Sequence, residues 1–86
     1  MKRTIKISKF EQIHSIPTTA IKVSDNEIRF DFHSPNLIVF DLSSITARRE
    51  DHAINLYSPL VPTPLSKGEV FEQLYLWAKE LFNYDH

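Results

Sequence analysis

Apolar and polar residues alternate from the start of the chain. Across Arg3-Thr4-Ile5-Lys6-Ile7-Ser8, Ile5 and Ile7 fall on one face and Thr4, Lys6 and Ser8 on the other. A period of two marks a half-buried strand. The period then changes. Phe10 and Ile13 stand at helical spacing, and Ser8 and Glu11 have the S-x-x-E spacing of a capping box. Together they predict a short helix or turn near residues 9–15, limited by Pro17.

A hairpin follows. Ile21 and Val23 share a face, as do Ile28, Phe30 and Phe32, and Ser24-Asp25-Asn26-Glu27 supplies turn-forming residues between them. Ser34-Pro35-Asn36 reads as a second turn. The run Leu37-Ile38-Val39-Phe40-Asp41-Leu42 is apolar on both faces apart from Asp41, which suits a strand covered on both sides. Residues 43–51 are polar and read as a loop or a turn of helix. Ala53 to Tyr57 alternates again, with Ile54 and Leu56 on one side, and reads as a final strand.

Pro59, Pro62 and Pro64 stiffen a connector into the most strongly patterned element. Ser66 is expected to cap a helix, with Glu69 at the matching third position and Leu65 and Val70 as a hydrophobic staple. Val70, Leu74, Trp77, Ala78 and Leu81 form its apolar stripe, widened by Phe71 and Phe82. Glu69, Glu72, Gln73, Lys79, Glu80 and Asn83 lie opposite. The expected fold is α+β: a small antiparallel sheet of four to five short strands packed against one C-terminal amphipathic helix, in a single domain over residues 1–86.

Composition narrows the chemistry. The chain has 86 residues, no Cys and one Gly. Disulfides, thiolate metal sites and a Cys nucleophile are excluded. Gly68 alone cannot build a phosphate-cradling loop, which needs several glycines for close backbone approach. The formal net charge of −1 argues against a strongly basic, nonspecific nucleic-acid binder. No apolar run follows Met1-Lys2-Arg3, and no segment reaches the roughly 18–20 apolar residues that span a bilayer. A cytoplasmic protein without a membrane partner is expected.

The chemical candidates are sparse. His14, His33, His52 and His86 follow one another at 19 to 34 residues, without the close ligand pairs of structural metal sites, and read as surface side chains. One Gly cannot supply a G-x-S-x-G nucleophile elbow. Asp41-Leu42-Ser43-Ser44-Ile45-Thr46 is similar to the D-x-S-x-x-G stretch of PilZ domains. Thr46 replaces its Gly and no arginine pair precedes it, so membership is not inferred. Pro59-Leu60-Val61-Pro62 fits P-x-x-P and is read as a rigid connector.

The expected function is that of a small non-catalytic protein-binding module or regulator, acting on another protein or on itself as a homodimer. Leu37, Val39, Tyr75, Leu76 and Tyr84 carry apolar surface that one helix should not cover, and they are the candidate contacts. The alternative is a nucleic-acid-binding protein using Lys2, Arg3, Lys6, Lys9, Arg48 and Arg49, provided the first strand and the 43–51 segment lie together. A small hydrolase or metal-binding protein is the third reading. No cofactor is expected.

Overall fold

The computed structural model describes residues 1–9, 11–33, 44–59 and 63–83. Five strands, β1 (Lys2–Lys9), β2 (Gln12–Ser24), β3 (Glu27–Phe32), β4 (Ser44–Glu50) and β5 (Ala53–Tyr57), precede one helix, α1 (Glu69–Asn83). The strands form one antiparallel meander in chain order. This is the expected α+β arrangement, with five strands. The apolar run 37–42 lies outside the described residues.

Register explains why the alternation succeeds. Ile5 pairs with Ile16, Thr18 with Phe32, Ala20 with Phe30, Phe30 with Ile45 and Ala47 with Leu56. Paired residues share a face, so these side chains build one apolar surface across all five strands. The helix packs against both edge strands, β1 and β5, so the sheet curls around it. Leu74, Trp77, Ala78 and Phe82 enter the concave side at helical spacing. Trp77 is 1% exposed, and its ring lies 5.1 Å from that of Phe30.

Three local expectations are corrected. Residues 12–15 belong to β2, not to a short helix near 9–15. The helical spacing of Phe10 and Ile13 loses to the ladder with β1, and Ile13 ends on the outer face, 71% exposed. The 43–51 segment is neither loop nor helix over Ser44–Glu50. It is β4, with Ile45 and Ala47 as its buried alternate positions. It joins β5 through Asp51 and His52, both at positive φ (46° and 70°), as in a two-residue type I′ hairpin.

The third correction is the helix start. Ser66 does not cap α1. The helix begins at Glu69, and the Gly68 carbonyl accepts the Glu72 amide at 3.0 Å. Leu65 also joins the sheet: its amide bonds the Leu56 carbonyl at 2.8 Å, against the outer edge of β5, and its side chain, like that of Val70, packs on the core. Gly68 has φ +126°, a conformation open almost only to glycine. Nothing stands within 4 Å of where a Cβ would sit, so the constraint is purely backbone. Gly68→Ala should therefore cost roughly 1–2 kcal/mol, read as a lower urea midpoint with an unchanged slope.

Candidate functional site

The convex face of the sheet carries a polar ladder. The Arg48 Nε donates to Glu27 at 3.0 Å, and its guanidinium lies 5.5 Å from the Tyr57 ring centre. The Tyr57 hydroxyl and the Asn55 amide both donate to one carboxylate oxygen of Glu50. Alongside, Arg29 grips Asp31 through two bonds of 3.1 and 3.3 Å, and His33 Nε2 meets the Thr19 hydroxyl at 2.8 Å. These groups are turned toward each other on an open surface. That suits an exposed, charge-balanced sheet face.

The ladder shifts two titrations. The Tyr57 hydroxyl, then the Asn55 amide, holds the Glu50 carboxyl below its ordinary range. The Tyr57 phenol is pushed up, first by its bond to Glu50, then by burial and the Glu50 charge. A lowered carboxylate stabilises the fold above its unfolded pKa and loses that effect as pH falls through the folded value. A raised phenol stabilises below its unfolded pKa and loses that effect as pH rises through the folded value. The joint contribution is complete between the ordinary Glu and Tyr ranges. In an ultraviolet titration Tyr57 should therefore ionise late, and Glu50→Ala, which removes the bond and the charge behind the shift, should bring its ionisation to lower pH.

A different arrangement lies at the β1 edge. The pairs Met1–Ala20 and Arg3–Thr18 point the backbones of odd residues in β1 toward β2. Those of Lys2, Thr4, Lys6 and Ser8 therefore face outward. Two are taken by the helix. The Lys6 amide donates to Gln73 Oε1 at 2.9 Å, and Gln73 Nε2 donates back to the Lys6 carbonyl at 2.6 Å. The Ser8 amide and hydroxyl donate to the two carboxylate oxygens of Glu69, at 2.9 and 3.2 Å. Lys2 and Thr4 lie beyond these pins, and among the described residues no side chain takes their outward backbone groups.

A hollow of about 310 Å³ opens at that free stretch. Arg3, Thr4 and Ile5 line it from the strand, and Gln73, Leu76, Trp77 and Glu80 from successive turns of α1. Leu76 is 61% exposed on its wall. Arg3 lies on the concave side, 5.2 Å over the Trp77 ring, and bridges to Glu80 at 2.6 Å. The volume is at the low end of the about 300–1,000 Å³ typical of ligand sites.

The predicted contact residues are distributed unevenly. Leu76 stands on this groove. Tyr75 is partly buried, stacked on Phe71 at 5.5 Å and beneath the Lys79 ammonium at 5.8 Å, so it packs within the domain. Leu37, Val39 and Tyr84 lie outside the described residues.

The predicted basic patch is divided. Lys2 and Lys6 share the convex face of β1, but β2 and β3 separate them from Arg48 on β4. The condition that joined the two groups, adjacency of the first strand and the 43–51 segment, is not met. Arg3 and Arg49 lie on the concave side. Arg49 covers Phe82 at 5.1 Å and bonds Asn26 and the Asp25 carbonyl. Lys9 lies in β1.

Among the described residues no group of three or more His, Asp or Glu is placed to hold a metal ion. No helix among them is long and apolar enough to cross a membrane. The helix pattern places Glu69 and Gln73 opposite the apolar stripe and carries no signal of their bonds to Ser8 and Lys6. No protein-family model, curated protein or solved structure matches this chain.

Proposed function

We propose that this chain is a small non-catalytic protein-binding module whose contact surface is the groove between β1 and α1. The observation behind this reading is the coincidence, at one place, of open strand-edge backbone and the exposed Leu76 beside a hollow. Unpaired strand edges attract other chains, and recognition domains use them for affinity while neighbouring pockets supply selectivity.

The test is display selection from a random-peptide library, with wild-type and Leu76→Glu proteins as parallel baits. Leu76 faces solvent, so the substitution should alter stability by no more than about 0.5 kcal/mol. Peptides enriched on the wild type and lost on the variant are expected. Identical enrichment on both, or none on either, overturns the reading. Homodimerisation is one form of the proposal, and light scattering at micromolar concentration decides it: a strict monomer removes the dimer and leaves a different partner.

A further inference from the structure

We infer that the groove takes an extended acidic peptide as a sixth strand on β1, with acidic and apolar side chains alternating along it. This rests on the groove being a protein-binding surface and names the chemistry of what it binds.

The backbone sets the mode. Lys2 and Thr4 present outward amide and carbonyl groups, and the Gln73 and Glu69 bonds to Lys6 and Ser8 end the open stretch. A ligand therefore pairs over a short length, in register with Lys2 and Thr4. Its side chains then alternate between two surroundings, because successive residues of a strand point to opposite faces.

The side chains set the pattern. On the concave side, alternate ligand residues meet Leu76 and a hollow in which Ile5 and Trp77 offer apolar contact beside the Arg3–Glu80 bridge and Gln73. On the convex side they come beside Lys2, Thr4 and Lys6. Neither lysine has an acidic partner among the described residues, whereas Arg3 is already bridged to Glu80. Carboxylates on the ligand would neutralise them, and opposite charges across neighbouring strands attract.

Charge also decides between occupants. A second copy pairing edge to edge would bring Lys2 and Lys6 of one chain toward the same cations of the other, and lysines on an edge oppose such pairing. A nucleic acid would leave Leu76 without an apolar contact, whereas a strand of alternating residues keeps its carboxylates on the convex side, away from Glu80. An acidic strand satisfies the amides, the lysines and Leu76 together.

The experiment titrates the full ¹⁵N-labelled chain with three capped hexapeptides of alternating Glu–Val, Gln–Val and Lys–Val. Glu–Val should shift the amides of residues 2–6 and Leu76. It should bind about tenfold or more tighter than Lys–Val, and weaken several-fold between about 50 and 500 mM salt. Thr4→Pro removes an outward N–H that β2 does not use, a replacement edge strands tolerate, and should abolish the shifts. Leu76→Asp, on the solvent side of α1, should do the same and keeps the test decisive if Thr4→Pro does not fold. Equal binding of all three peptides overturns the acidic assignment, while groove-dependent enrichment in the display selection would still support a protein-binding surface. No shift at these residues with any peptide overturns strand addition. Shifts of the same amides on self-dilution or with oligothymidylate would assign the groove to a second copy or a nucleic acid, and would overturn it equally.

Discussion

Trp77→Ala should cost about 3–5 kcal/mol, the range for removing a large buried aromatic side chain. The side chain is 1% exposed and packs its ring on Phe30 at 5.1 Å, a tilted pair that is favourable beyond the area it buries. It also supports the Arg3 guanidinium at 5.2 Å, and its indole N–H reaches the Met1 sulfur at 3.5 Å. Small domains are stable by only about 5–15 kcal/mol in total, so the variant should lie near the edge of folding at 37 °C. The measurement is urea unfolding followed by circular dichroism, because the variant lacks the only tryptophan. Trp77→Phe keeps a ring against Phe30 and should lose markedly less. Equal losses from the two variants would mean that the indole N–H, rather than packing, dominates.

The second large effect is expected at the helix–edge seam. Glu69→Ala combined with Gln73→Ala removes two bonds to Ser8 and two to Lys6. Each is exposed and stands near the low end of about 0.5–1.5 kcal/mol, so the pair should lose about 2–3 kcal/mol. The more specific consequence is association. The double variant exposes four successive outward positions of β1, and a long free edge recruits other chains. Light scattering should rise with concentration for the variant and not for the wild type. Gln73→Glu provides an internal control, since it keeps an acceptor for the Lys6 amide and loses the donor to the Lys6 carbonyl. Its stability should be intermediate. A double variant that loses less than about 0.5 kcal/mol would show that hydrophobic packing alone seats the helix.

This seam also explains why the groove is short. Glu69 and Gln73 are one helical turn apart and meet Ser8 and Lys6, which are two residues apart on the strand. The next step along β1 reaches Thr4, where Arg3 is instead drawn to Glu80. The free edge begins where the helix stops supplying polar partners, and Leu76 lies beside it.

Much of the architecture followed from local periodicity. Ile5 and Ile7, Ile28, Phe30 and Phe32, and Leu56 all bury where their alternation put them, because a strand offers every second side chain to one face. Leu74, Trp77, Ala78 and Phe82 bury where the 3.6-residue period put them. The turn at Ser24 to Glu27 also formed where its residues allowed, with the Asn26 amide bonded to the Ser24 hydroxyl.

Tertiary structure decided the rest, for one recurring reason: a short motif carries less free energy than a ladder. Ser8, Glu11, Phe10 and Ile13 imitate a helix start, yet Ile16 opposite Ile5 buries two large side chains and keeps residues 12–15 in β2. Ser44 to Glu50 has few large apolar residues, and becomes a strand because β3 and β5 pair with it on both sides. Ser66 matches a capping box with Glu69, but the Glu69 carboxylate finds Ser8, distant by 61 positions, and Gly68 takes the helix start. The candidate site belongs wholly to this second class. Leu76 was visible as an apolar residue on a polar helix face, whereas its placement beside the open backbone of Lys2 and Thr4 exists only because the sheet curls and brings its first strand against its last element.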